Sequence, residues 1–288
     1  MAYFLQLSDV HLVAPGKKLY GTVDSTSLLR DLLDRLADAE LAPSAVLVTG
    51  DVGDHGDHGD AQAYRTARTL IESYAGRTGC PVIWVNGNHD EIGSFRSHIL
   101  DGGVIDRVEH VDGVRLIVLD STVPGASHGL LTPDQLDWLR TVLAGPVEPT
   151  LLLMHHPPLR CPLPGLDRDM LRNRADLAEL LEGSGVSMVV TGHTHYAGAG
   201  VCGDVPVWVG GSTAAYTDVV PPKRRARTAD YGSFSRIDLI DGEAVAVSIP
   251  CQQMDTVLDF QAIIDGTIDK GLLAEIGIPA RADEKDRR

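Results

Sequence analysis

At 288 residues the chain can bury a large core as one or two domains, and its 43% hydrophobic and 23% charged residues are those of a soluble globular protein. Its 25 basic against 40 acidic residues give a net charge of −15, which argues against a general nucleic-acid binder and against an anionic membrane surface as partner. Phosphate substrates stay open, because bound divalent metals reverse the local field.

In chain order, residues 3–7 read as the first strand rather than a leader, since no basic region or long apolar stretch accompanies them. Leu28, Leu29, Leu32, Leu33 and Leu36 recur at helical spacing within residues 25–39. Residues 45–49 form a fully apolar strand, 62–74 a helix and 81–85 a strand; 114–119 is a strand entered through an Asp112-Gly113 turn. Thr132-Pro133-Asp134-Gln135 has the form of a capping box with proline at the first helical position, opening a helix to about residue 144. Strands follow at 150–154, 186–190 and 205–209, with a helix at 176–181, and Asp241-Gly242 turns a hairpin between 234–240 and 244–249. The alternation predicts an α/β domain over residues 1–250. Residues 251–288 form a C-terminal extension, a helical tail or lid, amphipathic over 256–278 and charged at its end. No apolar run reaches the length of a membrane span. Cys80, Cys161, Cys202 and Cys251 are scattered, so the expectation is a cytoplasmic protein with reduced thiols.

Five short motifs end or follow five of these strands: Asp9-Val10-His11, Gly50-Asp51, Gly87-Asn88-His89-Asp90, His155-His156-Pro157 and Gly192-His193-Thr194-His195. In α/β sheets, ligand sites lie beyond the carboxyl ends of the strands, where loops gather side chains from distant positions. Carboxylates and imidazoles mixed with an amide oxygen suit Mn, Fe, Zn or Co better than Ca or Mg. Seven candidate ligands exceed the roughly three that a single catalytic zinc takes, which implies two ions sharing one carboxylate.

The ordered set D-x-H, G-D, G-N-H-D, H-H-P and G-H-x-H resembles that of the calcineurin-like metallophosphoesterases. The resemblance implies a four-layer αββα sandwich with two mixed β-sheets and two transition-metal ions, Mn or Fe first and Zn or Co next. It implies that Asp9, His11 and His195 hold one ion, that Asn88, His155 and His193 hold the other, and that Asp51 bridges them. By the same resemblance His89 faces the phosphate and protonates the leaving oxygen, and Asp90 orients His89. Within the family, Leu19-Tyr20-Gly21-Thr22-Val23-Asp24, residues 84–90 and 118–125, and Ala215-Tyr216-Thr217 are similar to bacterial class III cyclic-nucleotide phosphodiesterases of the mycobacterial type. The implied reaction is hydrolysis of 3′,5′-cyclic nucleotides, cAMP and cGMP, to 5′-monophosphates by a hydroxide held between the metals, in a homodimer. The alternatives are a broader diesterase acting on glycerophosphodiesters and, from another class, a non-catalytic scaffold, against which the intact ligand set argues.

Other residues have plainer readings. His156 points away from its neighbour on an extended chain and reads as a supporting or packing residue. His55 and His58, in the repetitive stretch 53–60, read as a solvated loop rather than a third metal site. Lys223-Arg224-Arg225 reads as a solvated charged loop rather than a steering patch. Asp120 reads as a structural carboxylate. For Tyr20 and Tyr216 the residues leave two readings open, a pocket border and ordinary packing.

Overall fold

A computed structural model of the chain describes residues 2–54, 61–163, 165–220, 227–258 and 265. The stretch 55–60, the basic residues Lys223-Arg224-Arg225 and nearly all of the expected amphipathic segment 256–278 lie outside the described residues.

The fold is α/β with two mixed sheets. Strands β1 (Ala2–Leu7), β2 (Ala45–Thr49) and β3 (Val82–Val85) run parallel. The hairpin of β12 (Ser233–Ile240) and β13 (Glu243–Pro250) extends this sheet in the order β13-β12-β1-β2-β3. The second sheet contains β4 (Arg107–Val111), β5 (Val114–Val118), β6 (Thr150–Leu153), β7 (Met188–Thr191), β8 (Gly198–Cys202) and β9 (Val205–Val209), in the order β4-β5-β6-β7-β9-β8. A two-stranded ladder joins β10 (Tyr216–Thr217) to β11 (Thr228–Ala229). Helices α1 (Ser25–Asp38), α2 (Ala61–Thr78), α3 (Ile92–His98), α4 (Pro133–Leu143) and α5 (Arg174–Leu181) complete it.

Side-chain alternation sorts these elements into layers. Leu116, Val118, Leu151, Leu153 and Val190 share one core with Phe4, Leu47 and the α1 and α2 residues Leu29, Leu32, Ala67 and Ile71. Ile117, Leu152 and Val189 point the other way, into a second cluster with Leu139 of α4 and Leu177 and Leu181 of α5. The order is therefore helix, sheet, sheet, helix, the four-layer sandwich expected. Polar ties cross between the sheets: Gln6 Nε2 donates to the Thr191 carbonyl (2.8 Å), Trp208 Nε1 to Ser235 Oγ (3.0 Å) and Arg107 Nη2 to the Trp84 carbonyl (3.2 Å).

Both expected turns have left-handed backbone at both positions, Asp112 (φ 48°) with Gly113 (φ 77°) and Asp241 (φ 50°) with Gly242 (φ 90°), the conformation that matches strand twist in a tight hairpin. The Thr132 capping box forms with both of its hydrogen bonds. Five of these elements were not expected, among them the two-residue strands β10 and β11. Strands β4 and β8 are edge strands, Arg-Val-Glu-His-Val and Gly-Ala-Gly-Val-Cys, with no long apolar run. The seven-residue α3 starts because the Glu91 carboxylate accepts the Gly93 and Ser94 amides.

Contacts divide the chain into a unit Met1–Gln252, which holds every element above, and a unit Gln253–Arg288, whose described residues 253–258 and 265 form no helix or strand. Among the described residues no helix is long and apolar enough to cross a membrane, and the four cysteines are free.

Candidate metal centre

All seven expected ligands meet beyond the carboxyl ends of β1, β2, β3, β6 and β7. The ligand atoms of Asp9, His11, Asp51 and His195 lie within 4.8 Å of one another, and so do those of His155, His156 and His193. Asn88 Oδ1 joins the second group, 3.1 Å from His155 Nε2. Asp51 Oδ2 stands between the groups, 3.6 Å from His11 Nε2 and 3.3 Å from His155 Nε2.

Main-chain geometry aims these side chains. Asp9, His11, Asp51, His193 and His195 all have positive φ, between 43° and 76°, a region ordinary residues visit rarely and at a cost of about 1–3 kcal/mol each. Surrounding bonds hold them there. The Asp9 amide donates to the Gly50 carbonyl and the His11 amide to the Asp51 carbonyl. Ser212 Oγ donates to the Asp9 carbonyl (2.7 Å) and accepts the Ala214 and Ala215 amides. The Asp9 carboxylate takes the Ser8 hydroxyl at 2.6 Å and the His193 amide at 3.1 Å.

The donor set fits cations. His155 Nδ1 donates to the Thr49 carbonyl at 2.8 Å, which fixes the tautomer and turns Nε2 toward two further acceptors, Asn88 Oδ1 and Asp51 Oδ2. His11 Nε2 and His195 Nε2 face each other at 2.9 Å. His193 Nδ1 is buried with no hydrogen-bond partner among the described residues. Ring nitrogens and oxygens converging in this way, with two buried carboxylates among them, are unfavourable unless protons or cations stand between them. Burial lowers the pKa of His193 to about 3 and of His195 to about 4, and lowers that of His11. These imidazoles are therefore neutral at physiological pH, the form able to donate a lone pair to a cation. Burial also pulls on His155, but the Asp51 charge and hydrogen bond outweigh it and raise the pKa to about 9.

His156 lies in the cluster with both ring nitrogens engaged. Nε2 donates to the Ser127 carbonyl (3.2 Å), so Nδ1 accepts from Ser121 Oγ (2.9 Å). Asp120 accepts Asn86 Nδ2 and the Thr122 amide and hydroxyl, a structural carboxylate as read from the sequence.

One expectation is corrected. Asp90 does not supply the carboxylate bonded to the His89 ring. Its oxygens accept the Val52, Gly53 and Gly87 amides at 2.8–3.2 Å, so it ties the loop after β2 to the loop after β3. The carboxylate on His89 is Asp54, whose Oδ1 lies 2.9 Å from His89 Nδ1 and 3.5 Å from His11 Nδ1. Burial lowers the His89 pKa, and the Asp54 bond with the Asp51 and Asp54 charges overrides it, so the pKa is raised. Asp54 opens the repetitive Gly-Asp-His stretch, where an aspartate three residues after Asp51 looks like more of the same. Its distance from that motif was the available signal.

His89, Asn88, His193 and His195 line a cleft of about 200 Å³ together with Tyr20, Ser127, Leu166, Asp169, Met170 and Thr217. Of the two tyrosines left open, Tyr20 borders this cleft, and Tyr216 packs edge-on against Tyr231 (ring centroids 5.9 Å).

Comparison with known proteins bears on this centre. The family model described as calcineurin-like phosphoesterase matches residues 2–197. The chain is 38% identical over 220 residues to a cAMP/cGMP dual specificity phosphodiesterase of Mycobacterium tuberculosis, covering 75% of this chain and 68% of that one. It is 39% identical over 291 residues to a probable cyclic nucleotide phosphodiesterase of Rhodococcus erythropolis, covering 99% and 89%. Among solved structures it superposes on a dimetal phosphatase from Danio rerio with a TM-score of 0.60 at 17% identity, over 88% of this chain and 97% of that one, a likeness of fold.

Proposed function

The chain belongs to the calcineurin-like phosphoesterases, hydrolases of phosphate esters, and on that premise we propose that it is a two-metal phosphodiesterase converting 3′,5′-cyclic nucleotides to 5′-monophosphates. The observation that carries the reading is the meeting of seven ligand side chains, with Asp51 Oδ2 between the two groups, at a cleft that also holds His89. The relatives named as cyclic-nucleotide phosphodiesterases support the substrate class.

Asp9, His11 and His195 would hold one ion, Asn88, His155 and His193 the other, with Asp51 shared. Ions there supply Lewis acidity, lowering the pKa of water and neutralising phosphate charge, and the donors suit Mn or Fe, then Zn or Co. The protein's own task is the leaving group. Water adds to phosphorus, the P–O3′ bond breaks, and O3′ needs a proton as it departs. His89 is suited to give it: its Nδ1 is engaged with Asp54, its pKa is raised, and it borders the cleft. Asp54 fixes the ring and balances its charge.

The test is kcat/KM with manganese for 3′,5′-cAMP beside 2′,3′-cAMP, bis(p-nitrophenyl) phosphate and glycerophosphocholine. Preference for 3′,5′-cAMP with 5′-AMP as product is expected. Fast turnover of glycerophosphocholine with slow cAMP cleavage would transfer the centre to the glycerophosphodiesterase reading. His89→Ala is expected to lower kcat by about 10²–10⁴-fold with metal content retained; loss of metal would contradict the role given to His89.

A further inference from the structure

Tyr20 sits at the tip of a five-residue turn closed at both ends of its bridge: the Leu19 amide donates to the Val23 carbonyl (2.8 Å) and the Val23 amide to the Leu19 carbonyl (2.9 Å). The turn is anchored by Leu19, 1% exposed, yet Tyr20 itself is 59% exposed. Its φ is +52°, a conformation that is an outlier for a bulky side chain and that glycine or asparagine adopts far more readily. Packing therefore does not account for an aromatic residue here, and the backbone argues against one. A strained residue beside a catalytic cluster points to function.

What surrounds the ring indicates which function. Tyr20 lines the cleft that contains Asn88, His89 and His195. Desolvation of its hydroxyl and the charges of Asp54, Asp9 and Asp51 raise its pKa, although the residue as a whole is 59% exposed. The apolar side chains on the same cleft are Tyr20, Leu166 (37% exposed) and Met170, the last only 2% exposed. The polar members, Ser127, Asp169, Thr217 and Thr228, are neutral or acidic, so beyond the metal ligands and His89 the cleft offers an anionic diester no cationic side chain among the described residues. Recognition there falls to the uncharged part of the substrate.

We propose that Tyr20 is a specificity residue: its ring is the platform on which the nucleobase of the substrate stacks, which selects nucleoside cyclic phosphates over diesters that lack a base. The inference rests on the cyclic-nucleotide reading above. Stacking on an aromatic face is worth enough to matter and tolerates any base, so the platform serves adenine and guanine alike. Because the base is remote from the breaking P–O3′ bond, the contact is the same before and during reaction and acts on KM rather than kcat. The left-handed turn projects the ring into the cleft, and the strain is the cost of that placement.

The test compares wild type with Tyr20→Ala, Tyr20→Phe and Tyr20→Asn in the manganese-loaded full chain, on 3′,5′-cAMP and on glycerophosphocholine, which has neither a base nor any other aromatic ring. Tyr20→Ala is expected to raise KM for cAMP on the order of ten-fold, lowering the cAMP-to-glycerophosphocholine ratio of kcat/KM by a similar factor. Tyr20→Phe keeps the platform and is expected to stay within about two-fold of wild type, whereas loss equal to that of alanine would show that the hydroxyl is what counts and overturn the stacking role. Tyr20→Asn is expected to match alanine on cAMP while raising Tm, because asparagine relieves the backbone; a lowered Tm would remove the strain argument. Wild-type cleavage of cAMP with KM unchanged in Tyr20→Ala defeats this inference alone. Absence of cAMP turnover by wild type, with the other diester cleaved, defeats the proposed function itself.

Discussion

Asp54 and Asp90 divide two tasks that share one chemistry. Both are carboxylates within reach of the His89 loop, but Asp90 is buried on three amides and Asp54 meets the imidazole. Their replacements should therefore fail differently. Asp54→Ala is expected to lower kcat by about 10–100-fold, the usual scale for a residue that orients a catalytic histidine, with little change in the denaturation midpoint. Asp90→Ala strands three buried N–H groups, each costing about 1–3 kcal/mol if left unpaired, and is expected to lose several kcal/mol by chemical denaturation before any kinetic effect is assigned. Equal stability losses in the two variants would dissolve the distinction. The clustering of the candidate ligands was legible because five motifs of chemically matched residues fall in order at strand ends. The partner of His89 was not, because adjacency in sequence favoured Asp90, and only the fold of the β2 loop brings Asp54 to the ring.

Between the strands and the ligands stand the glycines of the motifs, and their role is spatial. A Cβ on Gly87 would lie 2.2 Å from Asp51 Oδ1, and one on Gly192 would lie 1.9 Å from Ser8 Oγ and 2.8 Å from Asp9 Oδ2. Each loop can approach its neighbour only because that atom is missing. Gly192→Ala is expected to cost about 1–3 kcal/mol from overpacking and to lower metal content per chain by displacing Asp9; normal metal content by mass spectrometry with unchanged stability would refute this. At this scale the sequence spoke clearly where apolar runs are long, as in β2, all five residues of which are buried, and where side chains close a local bond, as at Thr132. It spoke weakly at β4 and β8. Edge strands bury one face partially and pair on one side, so neither hydrophobic run nor strict alternation is required of them.

For the whole molecule, the candidate ligands come from both sheets: Asp9, His11, Asp51 and Asn88 follow strands of the first, His155, His193 and His195 strands of the second. Metal at the centre would join the two layers, and its removal should be felt throughout the unit Met1–Gln252. Chelation is expected to lower Tm by roughly 5–10 °C, taking free metal near 100 times its dissociation constant and a chain of this length. An unchanged Tm after complete removal would separate the centre from the stability of the sandwich. The layered origin of the ligands also bears on the order of events as the chain folds. His11 and His195 are 184 residues apart, and closing so long a loop comes after local strands and helices have formed. A complete binding site therefore does not exist until the sheets have docked, and an ion captured then cannot guide the search that preceded it. It stabilises the finished structure more than the transition state, so it lengthens the lifetime of the folded chain without hastening its formation. A metal bound there would act as a latch on the native state, a state that newly made chains would reach on their own hydrophobic core before being loaded.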